Sequence, residues 1–136
     1  MSQENVETLR EMFAVVNDRG VQAATGAFGH LLDPEFELEE ASNVPDRENH
    51  SGRDAFIANM AKLEESFEEL RIEPIEFVDL GDKLVVVVSI SGRGRGGGAP
   101  VEGRIAQLWT LSDGRAKSLR DYATKSEALE AAGLSE

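Results

Sequence analysis

The spacing of hydrophobic residues along the chain changes near Leu70. Before this residue, apolar side chains recur every three or four positions, which is typical of amphipathic helices. After it, apolar and polar positions alternate, which is typical of β strands. The pattern therefore predicts helices mainly in the first half of the chain and strands mainly in the second half.

The first half is predicted to contain three helices and one strand. Residues 4–18 form the first helix, whose inward side chains are Val6, Leu9, Phe13 and Val16. The other predicted boundaries are 20–31 and 52–67 for helices, 35–41 for the strand and 42–51 for a polar loop. Asp33-Pro34 is expected to break the chain before the strand, because the residue preceding a proline disfavours helical backbone.

The second half is predicted to form four strands joined by hairpins. Their boundaries are 70–80, 83–95, 101–112 and 115–123. Gly81-Asp82 and Asp113-Gly114 supply the chemistry of tight turns. A terminal helix over 124–132 ends at Gly133. The sequence thus predicts one α+β domain over residues 1–136.

The stretch KLVVVVSISGRGRGGGAP contains Gly92, Gly94 and Gly97, which satisfy the G-x-G-x-x-G pattern. A dinucleotide site needs a helix after these glycines, but the next segment, VEGRIAQLWTL, is typical of a strand. An RNA tether would need many repeats in a basic chain. A glycine turn between two strands is therefore predicted. Arg93 and Arg95 are expected to solvate the strand end, or one of them to hold an anion at a pocket rim.

The composition excludes several classes of protein. Acidic residues number 26 against 14 basic ones, so the net charge of −12 disfavours nucleic acids and anionic membrane surfaces as partners. The chain contains no cysteine, which excludes disulfides and thiolate metal sites. The N-terminus lacks the layout of a signal peptide, and no apolar run approaches the ~20 residues of a membrane span. A cytoplasmic location is therefore expected.

Five local strings add to the order of elements: FAVVNDRG, LLDPEFELEE, SGRDAFIANM, RGRGGGAPVEGRIAQLWTLSDGR and LRDYATKSEALEAAGL. Together they resemble the SnoaL-like polyketide-cyclase family of the nuclear-transport-factor-2-like superfamily. This resemblance implies a curved antiparallel sheet wrapped around N-terminal helices, as a cone-shaped α+β barrel with an apolar internal pocket. It also implies a homodimer formed through the sheet.

The resemblance further implies that carboxylates in the pocket act as general acid or base. Glu40 aligns with the general base of the related ketosteroid isomerases and shares a strand face with Phe36 and Leu38. Asp121, which alternates with Leu119, is the second candidate. An apolar pocket raises the pKa of a carboxylate, which suits proton transfer near neutral pH. The alternatives are a solvated strand end for Glu40 and a surface carboxylate for Asp121.

The oxyanion donors of the isomerases align with Met12 and Gln107. Methionine cannot donate a hydrogen bond and glutamine donates more weakly than an acid, which argues against steroid-type enolisation. Trp109 shares a strand face with Gln107 and forms either a pocket wall or part of the dimer surface. The helices are expected to contribute Phe13, Phe56 and Met60 to the same ligand-binding cavity, with ordinary core packing as the alternative.

Histidines and cofactors complete the candidate chemistry. His30 is expected to be structural, and His50 to lie near the pocket mouth. Two distant histidines predict no metal site, and the family chemistry needs no cofactor. A relay of Glu40, Arg93 and Asp121 would imitate an epoxide hydrolase.

The predicted function is a pocket protein for a small apolar or aromatic ligand. It is either a carboxylate-dependent cyclase, isomerase or hydratase, or a non-catalytic binding or interaction module.

Overall fold

The computed structural model describes residues 2–39 and 49–133. Its helices are α1 (Ser2–Arg19), α2 (Val21–Phe28), α3 (Arg53–Ser66) and α4 (Lys125–Ala131). Its strands are β1 (Leu32–Glu39), β2 (Asn49–Ser51), β3 (Phe67–Asp79), β4 (Lys83–Gly94), β5 (Pro100–Ser112) and β6 (Arg115–Tyr122). The predicted order of helices and strands is confirmed, and β2 is an additional short strand.

The six strands form one mixed sheet in the order β2-β1-β6-β5-β4-β3. Neighbouring strands are antiparallel except β1 and β6, which are parallel. The expectation of a wholly antiparallel sheet is therefore wrong for this pair. Parallel pairing requires a long crossover, and here β1 and β6 are separated along the chain by α3 and three hairpin strands. Within the described residues the sheet is curved but does not close into a barrel.

The predicted chain break at Asp33-Pro34 lies inside β1. The pairing of β1 with β6 slips there, between the pairs Leu32–Ala116 and Glu37–Ser118. The Asp33 carboxylate accepts hydrogen bonds from the Glu35 N–H at 2.8 Å and from Lys117 Nζ at 2.6 Å. Proline and its neighbours thus produce a bulge that a charged side chain ties to β6, rather than an end to the strand.

β3 begins at Phe67 rather than near Leu70, because an irregularity hides its first residues from the alternation pattern. Glu69 has a φ of 56°, and the pairing with β4 slips between Glu68 and Arg71. A second slip follows Pro74, which has no N–H to donate. Both irregularities lie on an edge strand, where such bulges bend a sheet.

The sheet has apolar residues on both faces. The inner face packs against α1 and α3 through buried side chains such as Phe36, Leu84, Val86 and Trp109. On the outer face, Ala128 of α4 covers Val85, Ala106 and Leu108. This cover explains the unbroken run Leu84–Val88, in which residues of both faces need an apolar side chain.

Side chains fix the helices against the sheet. The Asn17 amide of α1 accepts from the Ile72 N–H at 2.7 Å and donates to the Ile72 carbonyl at 2.9 Å, both groups belonging to edge strand β3. The Glu64 carboxylate of α3 accepts from the Val21 N–H at 2.9 Å, at the first turn of α2. The first contact ties α1 to the edge of the sheet, and the second ties α3 to α2.

The glycine stretch forms the predicted hairpin between β4 and β5, with Arg93 paired to Pro100. A Cβ on Gly98 would lie 2.9 Å from the Cα of Gly94, so the turn requires glycine at this position. Arg95 donates to the carbonyls of Glu64 and Glu65, in the last turn of α3. A cation is stabilised there by the helix dipole. The function of the hairpin arginine is therefore to cap a helix.

In the described part of the chain, none of the helices combines the length and the hydropathy that a bilayer crossing requires.

Candidate functional site

The main cavity, of about 380 Å³, lies between the inner face of the sheet and helices α1 to α3. Its volume lies at the lower end of the usual range for small-molecule sites. The helical wall consists mainly of Met12, Phe13, Val16, Phe56, Met60 and Leu63. The strand wall consists mainly of Leu38, Ile72, Ile105, Gln107, Trp109 and Leu119, with Asp121 at one end. The cavity is thus largely apolar, and the polar groups of its strand wall are few.

The polar groups of the strand wall are Gln107 and Asp121, which are direct partners in the pairing of β5 with β6. Trp109 and Leu119 are the next pair on the same face. Because side chains alternate across a strand, all four project from the inner face of the sheet. The register therefore brings an amide and a carboxylate together at one position of the cavity wall.

Gln107 is almost wholly buried, at 9% exposure, and its orientation is fixed. The Trp109 indole N–H donates to Gln107 Oε1 at 2.9 Å. An indole nitrogen only donates, so the amide oxygen must face the indole. The amide NH₂ group of Gln107 therefore lies on the side of the amide away from the indole.

Asp121 lines the same cavity, and its Oδ1 atom is buried. The neighbouring Arg120 lies on the other face of β6, where its Nε is 3.0 Å from Glu39 Oε1. The Tyr122 side chain and the Glu39 carboxylate raise the pKa of Arg120 above its ordinary value. The predicted inward position of Asp121 thus agrees with the structure, whereas its acid/base role stays a prediction.

The aromatic side chains form a connected group beside Gln107. The ring centroids of Phe36 and Phe56 are 4.7 Å apart, and those of Phe36 and Trp109 are 6.1 Å apart. Phe36 has no exposed surface and supports the other two rings from behind. Tilted rings at these separations attract each other, which stabilises the wall.

All six predicted ligand-binding residues line the main cavity: Met12, Phe13, Phe56, Met60, Gln107 and Trp109. Three of them, Phe13, Phe56 and Trp109, also belong to the buried core. The core alternative and the cavity prediction therefore describe the same residues, since one surface of each ring packs and another faces the cavity. Their contact with a ligand stays a prediction.

Other predicted residues are not part of this cavity. Glu40 lies outside the described residues, and so does the side chain of His50. His30 is exposed and does not line the cavity. Arg93 Nε lies 3.8 Å from Glu69 Oε1 at an exposed position, and neither Arg93 nor Arg95 lines the cavity. The prediction that Arg93 joins Glu40 and Asp121 in a relay is therefore wrong, because Arg93 does not line the cavity that Asp121 lines.

Three polar residues that were not predicted to belong to the site line the cavity from α3: Asn59, Lys62 and Ser66. Their spacing of three and four places them on one helical face, which was a usable signal. Ser66 Oγ donates to the Lys62 carbonyl at 2.9 Å and is thus engaged within the helix. Asn59 and Lys62 add polar groups on the helical side of the cavity. Across residues 2–39 and 49–133, no group of three or more acidic or histidine side chains is arranged to hold a metal ion.

Known proteins share the sequence pattern and the fold of this chain. Residues 9–119 match the family model of the SnoaL-like domain. A predicted SnoaL-like polyketide cyclase from Jannaschia sp. CCS1 is 25% identical, with 88% of this chain and 85% of that chain covered and a TM-score of 0.72. A nuclear-transport-factor-2-like protein of unknown function from Burkholderia pseudomallei K96243 is 20% identical, with 93% and 95% covered and a TM-score of 0.72.

A third solved structure shares the fold at lower identity. It is a hypothetical protein with a ketosteroid isomerase-like fold from Catenulispora acidiphila DSM 44928, in complex with trimethylamine. It is 18% identical, with 91% of each chain covered and a TM-score of 0.69. No curated protein matches this chain. Domains with this fold commonly have a ligand-binding pocket.

Proposed function

The chain belongs to the SnoaL-like domain family of the nuclear-transport-factor-2-like superfamily, and we propose that its main cavity binds a small apolar or aromatic molecule with one carbonyl or hydroxyl group. One observation supports this most strongly: Gln107 and Asp121 are paired on one wall of an otherwise largely apolar cavity. Apolar walls with a few placed polar groups are the usual composition of a site that orients its guest.

We propose further that Asp121 transfers a proton in this site. The carboxylate takes a proton from the carbon next to a carbonyl, so the C–H bond breaks and its electron pair passes to the carbonyl oxygen. The Gln107 NH₂ group donates to that oxygen as its negative charge develops. Return of the proton to another carbon gives an isomerisation. In a cyclisation, the enolate carbon attacks a second carbonyl of the same molecule, so a C–C bond forms and the π bond of that carbonyl breaks. The resulting alkoxide then takes the proton back from Asp121. Neither reaction requires a cofactor.

The weak donor limits the range of substrates in this proposal. Glutamine stabilises an enolate oxygen less than a tyrosine or a protonated acid does. Met12, which aligns with a tyrosine of the related ketosteroid isomerases, cannot supply the second hydrogen bond. Substrates whose enolate is already delocalised, such as β-dicarbonyl compounds and α-aryl ketones, therefore fit this site better than simple ketones.

Exchange of α-protons tests the proposal without knowledge of the natural substrate. The probe is β-tetralone in D₂O, with loss of the α-proton signal followed by ¹H NMR. We expect the wild-type protein to accelerate exchange, and Asp121→Asn to reduce that acceleration by about 10²- to 10⁴-fold, the usual contribution of a general base. The matched control is Asp82→Asn, a change at an exposed carboxylate. Equal exchange in both variants would contradict a proton-transfer role for Asp121.

A non-catalytic binding module is the second candidate, favoured by the methionine at position 12. It predicts that β-tetralone binds without accelerated exchange in the wild-type protein.

We also propose that the protein forms a homodimer through the uncovered part of the outer sheet face, beside the area covered by α4. Sedimentation equilibrium tests it directly. The cytoplasmic location stays a prediction that cell fractionation tests.

A further inference from the structure

A second cavity, of about 170 Å³, lies between α1 and the β5–β6 hairpin. Glu4, Asn5 and Thr8 line it from the helix, and Leu111 and Ala116 line it from the strands. Four residues line both this cavity and the main one: Met12, Phe28, Leu32 and Trp109. The two cavities therefore share a wall.

The two cavities follow one another along the same elements. On α1, Thr8 lines only the second cavity, Met12 lines both and Val16 lines only the main cavity. Thr8 and Val16 lie about 12 Å apart along the helix axis, from the rise per residue. On β5 the same order recurs, with Leu111 in the second cavity, Trp109 in both and Gln107 in the main one. An unbranched chain that entered both would run parallel to α1.

Met12 is the most adaptable side chain of the shared wall, because it is the only unbranched one of the four. Trp109 is held by its hydrogen bond to Gln107 at 2.9 Å. Leu32 lies in β1, where its carbonyl accepts from Arg53 at 3.3 Å. The Met12 side chain is half-buried, unbranched and polarisable, so it changes rotamer easily and packs against varied surfaces. Its rotation would connect the cavities without disturbing the sheet.

We infer that Met12 separates two compartments of one binding channel, and that the ligand is an elongated amphiphile. Its polar head binds at Gln107 and Asp121, and an unbranched apolar tail passes Met12 into the second cavity. This inference rests on the proposed function, because the head must first bind in the main cavity. It adds the shape of the ligand and a residue that determines specificity for tail length.

A series of 4-alkylphenols with tails from methyl to octyl tests the channel. Binding is followed by quenching of Trp109, the only tryptophan of the chain, which borders both cavities. We expect affinity to rise about fourfold for each methylene buried, and to continue rising after the main cavity is full. Met12→Ala should increase the affinity for long tails relative to short ones.

Two variants close the second cavity without altering the main one. Thr8→Phe and, independently, Asn5→Phe place a ring in the second cavity, since neither residue lines the main one. We expect short phenols to bind these variants as they bind the wild type, while the gain with tail length stops earlier. Glu11→Phe is the matched control, because it adds the same ring at an exposed position of α1 that lines neither cavity.

The outcomes separate the inference from the proposed function. If both blocking variants show the same dependence on tail length as the wild type, the channel is overturned while the main cavity remains a binding site. If 4-methylphenol does not bind the wild type at all, the proposed function fails and the channel fails with it.

Discussion

At the scale of single residues, the site depends on the hydrogen bond between Trp109 and Gln107. The bond joins two neighbours on one strand face at 2.9 Å and is buried. It determines which end of the amide faces the cavity, because the indole can only donate. The local alternation of β5 predicted that both side chains share a face, but only the packed structure shows that one orients the other.

Trp109→Phe keeps an aromatic ring and removes the indole N–H. The Gln107 amide then loses the partner that orients it. We expect the preference for β-tetralone over tetralin, which lacks the carbonyl, to fall about fivefold, the equivalent of one ordinary hydrogen bond. Competition binding by NMR measures the two affinities. Phe56→Leu is the control, because it removes aromatic surface from the same cavity wall. It should lower the affinities for β-tetralone and tetralin alike and leave the ratio of the two affinities unchanged.

A second prediction at this scale concerns Asp33. The hydrogen bond from the Lys117 ammonium and then that from the Glu35 N–H lower the pKa of Asp33 below its ordinary value of 3.8. The folded state therefore favours the charged carboxylate. This contribution to stability is fully present above pH 3.8 and is lost as the pH falls below 3.8, through the lower folded-state value.

Urea denaturation of the wild type and Asp33→Asn tests this dependence. At about pH 6 the variant should have the lower midpoint, and the difference should shrink as the pH falls below 3.8. A difference that stays constant down to the lowest pH at which the protein folds would contradict the assignment. Asp18→Asn, a change at an exposed position of α1, should show no such trend.

At the scale of elements, the helices are held to the sheet by side chains that meet backbone groups. Asn17 and Ile72 are 55 positions apart, and Arg95 and Glu65 are 30 apart. Hydrophobic period alone predicted where helices and strands occur, because that signal is local. It could not predict these two contacts, nor the parallel pairing of β1 with β6, because all of them depend on which distant segments meet.

Asn17→Ala tests the contact between α1 and β3. It leaves the N–H and the carbonyl of Ile72 without their side-chain partner in a part-buried position. We expect a loss of about 1–3 kcal/mol in the free energy of unfolding, the usual cost of an unsatisfied polar group. Urea denaturation gives the value, and hydrogen exchange at Ile72 should accelerate. A loss no greater than that of the neighbouring exposed variant Asp18→Ala would count against this role.

In the molecule as a whole, a helical layer and a curved sheet enclose a cavity, and the sequence predicted some of the residues that line it. Alternation around Gln107, Trp109 and Asp121 placed these residues on one face, and the structure brings them to one cavity. The second cavity was not predictable, because it arises from the packing of α1 against a hairpin about 100 residues later. The expectation of a curved sheet around an internal pocket came from the resemblance to the SnoaL-like family, because no local pattern of residues predicts a pocket.

Binding of a small apolar molecule through its carbonyl or hydroxyl group at Gln107 and Asp121 can be observed by titrating ¹⁵N-labelled protein with β-tetralone. The single tryptophan gives one indole N–H signal, so the wall beside Gln107 is followed without ambiguity. We expect saturable shifts of the Trp109 indole and Gln107 side-chain amide signals, with smaller changes at residues of the outer sheet face. If these two signals stay in place up to the solubility limit of the ketone, the main cavity does not bind this class of ligand and the proposed function is wrong.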